Sequence, residues 1–188
     1  MARLTLVTGG CRSGKSDYAQ RLAESLPGRR LYVATCPAID DELLARIAAH
    51  RESRRGRGWE TVEERQDLAG VFRRHAEYAV LLVDCVTLWV NNLMYAAEPS
   101  GRQVEEADAV AACLPMLDAA QSRSGDVIFV TNEVGLGVVP DNPAARRYRD
   151  LVGRVNQAIA ARAETVTLVV CGIAWNVKGT VSERHSDQ

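Results

Sequence analysis

A glycine-rich loop near the start of the chain has the clearest chemical signature. Its residues match the pattern G-x-x-x-x-G-K-[ST] and are Gly9, Gly10, Cys11, Arg12, Ser13, Gly14, Lys15 and Ser16. Glycines let such a loop curl until successive backbone N–H groups point at one phosphate. Lys15 is expected to bridge the β- and γ-phosphates of a nucleotide, and Ser16 to give an oxygen to Mg²⁺. The loop predicts nucleotide binding, the less favoured alternative being a glycine-rich turn that binds nothing.

A carboxylate at the end of a second apolar run complements this loop. The run at 79–83 is apolar throughout and is followed by Asp84. The carboxylate is therefore expected at the carboxyl edge of a strand, where open α/β sheets bind ligands. Such a carboxylate holds Mg²⁺ directly or through water, although Asp84 could instead cap the next segment. We predict that Ser16 and Asp84 are the metal-binding pair.

A histidine on a predicted helix is a candidate nucleophile. His50 lies three residues after Ile47 and seven after Leu43, so the three share one helical face. Four arginines follow it closely: Arg51, Arg54, Arg55 and Arg57. They would neutralise a triphosphate and its leaving pyrophosphate, or else form an exposed face. Taken alone, a histidine in this position is more often a hydrogen-bonded core residue than a nucleophile.

Strands and helices predicted from the apolar pattern would position these residues. Short apolar runs alternate with longer segments in which apolar residues recur at helical spacing. Five runs without polar alternation are expected as strands buried on both faces, at 4–8, 31–35, 79–84, 126–131 and 165–171. Helices are predicted at 15–26, 41–54, 67–75, 104–122 and 144–163. This alternation implies right-handed β-α-β crossovers. We predict one α/β domain over 1–188, with a mainly parallel central sheet and helices on both faces.

The composition argues against several classes of protein. The 188 residues are 47% apolar and 25% charged, which is typical of a globular domain. The 23 lysines and arginines nearly cancel the 24 acidic residues, so no strong field attracts nucleic acid or an anionic membrane. No apolar stretch is long enough to span a bilayer. The five cysteines contain no C-x-x-C pair and suggest neither a zinc site nor a disulfide framework. A cytoplasmic location is expected.

Motif differences separate the chain from signalling GTPases. The segment 131–134 has the sequence Thr-Asn-Glu-Val and is not the Asn-Lys-x-Asp motif by which such GTPases recognise guanine. The segment 84–87 reads Asp-Cys-Val-Thr and is not an Asp-x-x-Gly switch. At this chain length, a small-molecule kinase or a nucleotidyltransferase becomes the leading class.

Further blocks of sequence carry a family resemblance. They lie at 8–16, 32–35, 40–42, 46–51, 59–61, 130–135, 139–140 and 153–157. Together they resemble the bifunctional adenosylcobinamide kinase / adenosylcobinamide-phosphate guanylyltransferase family of cobalamin biosynthesis, over nearly the whole chain. The Thr-Asn-Glu-Val-Gly and Gly-Arg-Val-Asn-Gln blocks are the specific ones, because the phosphate loop alone is generic. The chain departs from many members by having Cys11 in place of alanine and Gly56 in place of proline.

The resemblance implies two reactions and a RecA-like P-loop NTPase fold assembled as a homotrimer. First, the hydroxyl of the aminopropanol arm of adenosylcobinamide takes the γ-phosphoryl group of ATP or GTP. Second, GTP gives a guanylyl-enzyme, and the phosphorylated cobinamide displaces the enzyme to form adenosylcobinamide-GDP. The guanylylated histidine of the family corresponds to His50, and neutral imidazole has the lone pair that such an attack needs. Lys15, Mg²⁺ and the loop amides would stabilise the leaving pyrophosphate.

The same match implies additional nucleotide-site residues beside the loop, His50 and Asp84. They are Ala34, Thr35, Cys36, Arg51, Glu52, Ser53 and Glu63. Asn132 and Glu133 end a predicted strand, where they could contact Mg²⁺ or orient a hydroxyl. Two alternatives stay open: a P-loop kinase in which His50 is structural, and a nucleotide-binding regulatory module without turnover.

Overall fold

The residues that the structure describes form one seven-stranded sheet with helices packed on it. The computed structural model describes residues 1–37 and 41–180, without the side chains at 41–43, 45, 46 and 49. Asp40 and the Leu43 side chain therefore lie outside the described residues. The strands are β1 (Arg3–Gly9), β2 (Arg30–Ala34), β3 (Trp59–Glu63), β4 (Val80–Asp84), β5 (Asp126–Val130), β6 (Thr165–Val170) and β7 (Ile173–Lys178).

In the part of the chain that the structure describes, six helices connect these strands, together with a short 3₁₀ turn at Glu98–Ser100. The helices are α1 (Lys15–Ser25), α2 (Asp41–Arg54), α3 (Leu68–Arg74), α4 (Val86–Ala97), α5 (Glu106–Ser122) and α6 (Pro143–Arg162). Within the described ranges, no helix combines the length and apolarity needed to cross a membrane.

The sheet order is β3-β2-β4-β5-β1-β6-β7, and every neighbouring pair is parallel except the antiparallel pair of β6 and β7. The strands from β3 to β6 therefore present their carboxyl ends at one edge. β1 carries the phosphate loop at this edge and β4 carries Asp84, with β5 between them. The predicted parallel sheet is confirmed.

Apolar side chains cover both faces of the sheet, because the parallel strands have few polar positions. Helices α3, α4, α5 and α6 pack on one face through buried side chains that include Phe72, Trp89, Leu117 and Val155. Helix α1 packs on the other face through Ala19 and Ala23. This two-sided burial fixes the strands whose ends hold the functional residues.

Three elements were not predicted. Helix α4 begins only one residue after β4 ends, and no Gly, Pro or Asn marks a turn between them. The apolar pattern of the strand therefore continues into the helix, and the helix was not recognised. Strands β3 and β7 lie at the two edges of the sheet and are poorly buried, so they lack the apolar run used to find the others. The five predicted strands and five predicted helices are each present, with no bound shifted by more than two residues.

Candidate active site

The phosphate loop connects β1 to α1 in a backbone conformation that glycine permits. Gly14, the residue before α1, is left-handed with φ 90°. A Cβ on Gly9 would lie 2.4 Å from the carbonyl oxygen of Val169, so any side chain there would collide with β6. The N–H of Gly172, between β6 and β7, donates to the carbonyl of Ser13 at 2.8 Å. The loop is thus held by the strand beside it.

Two side chains of the loop are available to bind an anion. Lys15 is 9% exposed, and its Nζ donates to the carbonyl oxygen of Gly10 at 3.2 Å. The buried Oγ of Ser13 has no hydrogen-bond partner among the residues that the structure describes. Phosphate oxygens would give the ammonium a charged partner, which makes a shorter and stronger hydrogen bond than a carbonyl.

Asp84 is oriented by a tyrosine from the neighbouring strand. The hydroxyl of Tyr32 donates to Oδ2 of Asp84 at 2.9 Å. Burial, followed by the charge of Asp84, raises the pKa of Tyr32 well above its usual value, so the phenol stays a donor at neutral pH. The peptide bond between Asp84 and Cys85 is cis. The hydrogen bond from Tyr32 holds Oδ2 and gives the carboxylate a defined direction at the end of β4.

Thr35 has a structural partner beside this carboxylate. Its Oγ1 donates to the carbonyl oxygen of Cys85 and accepts from the N–H of Cys85, both at 2.8 Å. The side chain is fully buried, and it ties the end of β2 to the end of β4. The predicted nucleotide contact by Thr35 thus lies at a residue whose hydroxyl is already paired.

Residues of the phosphate loop and of α2 line one cavity of about 230 Å³. The predicted site residues that line it are Cys11, Arg12, Lys15, Ser16, Ala34, Cys36, His50, Arg51, Glu63 and Asp84. His50 is half-buried on α2 and lines this cavity together with Lys15 and the predicted metal pair. The structure therefore brings together the phosphate loop, the carboxylate and the imidazole.

The remaining predicted residues do not line this cavity. Gly9, Gly10, Ser13 and Gly14 contribute to the loop behind it. Glu52 is exposed and pairs with Arg55 at 3.2 Å, while the Oγ of Ser53 donates to the carbonyl oxygen of His50 at 2.9 Å. Like Thr35, these two side chains have other partners, so a nucleotide contact by them stays a prediction.

Arg54 is a candidate functional residue that the sequence did not single out, because it stood there only as one of four arginines that follow His50. It lines the cavity and is 5% exposed, and its guanidinium carbon lies 3.4 Å from the ring centre of Tyr32. Its Nε and Nη1 have no hydrogen-bond partner within the described part of the chain. Desolvation lowers the pKa of Arg54, as expected for a buried cation that lacks a full set of partners. The sequence signal was its position four residues after His50, which places both on one helical face.

The two family-specific blocks of sequence meet behind the cavity. The amide of Asn156 on α6 accepts from Thr131 Oγ1 at 2.7 Å and donates to the carbonyl oxygen of Asn132 at 3.2 Å. Asn132 lines the cavity, and its Nδ2 donates to Thr87 Oγ1 at 3.3 Å. Glu133 instead accepts from the N–H of Gly135 at 3.1 Å and is not on the cavity wall. The block on α6 thus supports the end of β5.

Comparison with known proteins identifies the family. The family described as cobinamide kinase / cobinamide phosphate guanyltransferase matches residues 5–177. The chain belongs to this family. Among relatives, the bifunctional adenosylcobalamin biosynthesis protein CobP of Pseudomonas aeruginosa is 45% identical over 175 residues, covering 93% of this chain and 96% of its own. CobU of Escherichia coli is 41% identical over 184 residues, covering 93% and 99%.

A solved structure supports the fold of the cobinamide kinase / guanyltransferase chain. It belongs to an ATPase of a bacterial type III secretion system and matches with a TM-score of 0.55 at 12% identity. The match covers 88% of this chain and half of that one, and it bears on the fold alone. Together with the seven-stranded sheet, it confirms the predicted α/β fold with a mainly parallel central sheet.

Proposed function

We propose that this chain carries out both reactions of its family at one nucleotide site. It would phosphorylate the hydroxyl of adenosylcobinamide with ATP or GTP, and then transfer GMP from GTP to the new phosphate. The observation that carries this proposal is the position of His50, which lines one cavity with Lys15, Ser16 and Asp84. A kinase without the second activity would not need an imidazole facing the phosphates, whereas covalent guanylyl transfer requires a nucleophile there.

Lys15 and the loop amides would bind the phosphates in both reactions. In phosphoryl transfer they stabilise the negative charge that develops on the departing nucleoside diphosphate. In guanylyl transfer they stabilise the departing pyrophosphate. Ser13 would also donate to a phosphate oxygen, because its hydroxyl has no partner among the described residues.

Ser16 and Asp84 would hold Mg²⁺ beside the phosphates. Their hydroxyl and carboxylate oxygens are the hard donors that this ion prefers, and Mg²⁺ usually takes only one or two protein ligands together with phosphate oxygens and waters. Tyr32 fits this assignment because it binds Oδ2 of Asp84 and leaves Oδ1 for the ion. When bound, the ion would neutralise part of the phosphate charge.

His50 would be the nucleophile of the second reaction. Its ring nitrogen attacks the α-phosphorus of GTP, and the bond from that phosphorus to the bridging oxygen breaks as pyrophosphate leaves. Arg54 would bind a non-bridging oxygen of the α-phosphate. Two observations support this role: its unpartnered N–H groups and its place one helical turn from His50.

The other predicted residues on the cavity wall would contact the rest of the nucleotide. Arg51 and Glu63 form an ion pair across the cavity wall, and Ala34 and Cys36 lie at the end of β2. We also infer a homotrimer, which the exposed apolar side chains Ile173, Trp175 and Val177 on edge strand β7 support. The free thiols of Cys11, Cys85, Cys113 and Cys171 are consistent with a reducing, cytoplasmic location.

Two labels on the nucleotide test the proposal. With γ-labelled ATP or GTP, label should appear in adenosylcobinamide phosphate. With α-labelled GTP and Mg²⁺, label should appear on the protein in an acid-labile, base-stable form, as expected for a phosphoramidate. His50→Ala should lose the protein label and retain nucleotide binding. His75→Ala is the control and should keep both, because His75 does not line the cavity.

The outcomes separate the alternatives. Transfer of γ-label without any protein label would favour a kinase in which His50 is structural. Tight nucleotide binding without turnover of cobinamide would favour a regulatory module. Protein label that survives in His50→Ala would overturn the assignment of the nucleophile.

A further inference from the structure

We infer that the phosphate loop is also the binding site for the phosphate of the acceptor, the corrinoid phosphate monoester, during the second half of guanylyl transfer. This inference rests on the proposed function. It assigns to Lys15 and its loop a second anionic ligand, bound after pyrophosphate has left.

The direction of displacement at phosphorus gives the argument. In an in-line displacement, the attacking and leaving atoms lie on opposite sides of the phosphorus. His50 on α2 and the loop residues Arg12, Lys15 and Ser16 line the same cavity, and the loop would hold the β- and γ-phosphates of GTP. When the ring nitrogen of His50 forms its bond to the α-phosphorus, pyrophosphate must therefore depart toward the loop.

The second displacement reverses these roles. The P–N bond to His50 now breaks, so the attacking oxygen of the acceptor must approach from the side opposite His50. That side is the one pyrophosphate vacated. The bond formed is the P–O–P bridge of the product, and the electron pair of the P–N bond returns to the ring. Since neutral imidazole had given a guanylylated imidazolium, the ring is again neutral and no proton needs to be supplied.

The loop has the groups to hold a phosphate monoester. Lys15 Nζ donates to the Gly10 carbonyl at 3.2 Å, a neutral partner that it can exchange for an anion. The buried Ser13 hydroxyl has no partner among the residues described. Because both ligands present phosphate oxygens of high charge, the same donors serve pyrophosphate and the monoester in turn.

A second basic cavity is the competing location for the acceptor phosphate. It has a volume of about 420 Å³ and is lined by residues that include Arg51, Arg54, Arg55 and Trp59. Among the described residues, none from the phosphate loop lines it. It lies beside the end of α2, the helix that carries His50. It shares Arg51 and Arg54 of that helix with the first cavity, so an acceptor phosphate bound there would contact α2 and not the loop that releases pyrophosphate.

The inference also explains how one loop serves two reactions. The γ-phosphoryl group that the first reaction transfers is held at the loop, so the new corrinoid phosphate forms there. It must leave to admit GTP and then return to the same donors once pyrophosphate has gone.

The purified guanylyl-enzyme, freed of nucleotide, provides the test. It is mixed with adenosylcobinamide phosphate at several concentrations of methylenediphosphonate, a pyrophosphate analogue that cannot be cleaved. The inference predicts that the analogue competes with the acceptor, raising its KM and leaving the maximal rate unchanged. Noncompetitive inhibition, or no inhibition where the analogue binds, would overturn it.

Two substitutions sharpen the result. Ser13→Ala should raise the KM of the acceptor and the KM of pyrophosphate in the reverse reaction by the same factor, about tenfold for one hydrogen bond to a charged group. Arg55→Ala, which alters only the second cavity, should change neither. If Arg55→Ala raises the acceptor KM alone, the second cavity is the site and the inference is wrong. Failure of wild-type protein to form any guanylyl-enzyme would instead remove the proposed function, and the inference with it.

Discussion

Arg54 offers a substitution with opposite expected effects on stability and on activity. Its guanidinium is 5% exposed, and its Nε and Nη1 have no partner among the described residues. The protein without nucleotide therefore contains a buried charge whose desolvation is incompletely compensated. Arg54→Met keeps much of the aliphatic volume against Tyr32 and removes the charge.

The expected change in stability follows from two contributions. A buried, unsatisfied donor costs about 1–3 kcal/mol, so removing two of them gains about 2–6 kcal/mol. Losing the desolvated cation–π contact with Tyr32 costs about 2 kcal/mol. The free energy of unfolding without nucleotide should therefore stay unchanged or rise by up to about 4 kcal/mol. Urea unfolding of the two proteins measures this difference.

The expected change in activity has the opposite sign. A hydrogen bond to a charged group contributes about 1.5–3 kcal/mol, which corresponds to a change of about 10- to 150-fold in affinity. Arg54→Met should weaken GTP binding by a factor in this range, as measured by calorimetry, and slow protein labelling by α-labelled GTP at least as much. Arg55→Met is the matched control, because Arg55 is exposed and its pairing with Glu52 contributes little.

The reasoning about Arg54 would be refuted by the reverse pattern. If Arg54→Met unfolds at a lower urea concentration than wild type and binds GTP with unchanged affinity, Arg54 is a structural residue that supports Tyr32. Equal losses in Arg54→Met and Arg55→Met would point to general electrostatic attraction.

Three further predictions follow from the site. Gly9→Ala should lower the melting temperature and abolish nucleotide binding, because the added Cβ would lie 2.4 Å from the carbonyl oxygen of Val169. If the Gly9→Ala variant melts at the same temperature as the wild-type protein, the described loop is contradicted. A thiol reagent at pH 8 should modify exposed Cys11 and Cys171, with GTP protecting Cys11, as read by mass spectrometry. Burial raises the pKa of Cys85 to about 11 and that of Cys113 to about 12. Both thiols should therefore stay protonated and unmodified until the protein unfolds. Labelling of either thiol in the folded protein would contradict that burial. Trp175→Lys should shift the assembled protein toward monomer in sedimentation, whereas an unchanged mass would exclude β7 from the subunit contact.

The sequence predicted the framework of the site well because its signals are local. The phosphate loop is a contiguous motif, and Asp84 ends an apolar run whose strand is buried on both faces. His50 was placed on a helix by periodicity, and the family resemblance then singled it out as the nucleophile. Parallel strands bring their carboxyl ends to one edge, so these residues could be expected to meet.

The rest depended on contacts between distant segments. The burial of Arg54 depends on the ring of Tyr32 from β2, and no local pattern shows that an arginine will be covered. Thr35 was expected at the nucleotide, but its hydroxyl pairs with the backbone of Cys85 across two strands. Strand β7 escaped prediction because an edge strand with exposed side chains has no buried face to impose a pattern.

The location of the covalent GMP tests the central claim most directly. Protein incubated with GTP and Mg²⁺ would be digested under alkaline conditions, and the modified peptide identified by mass spectrometry. The account predicts one guanylyl group, on the peptide that contains His50, and none in His50→Ala. A guanylyl group on another residue, or its persistence in His50→Ala, would contradict it.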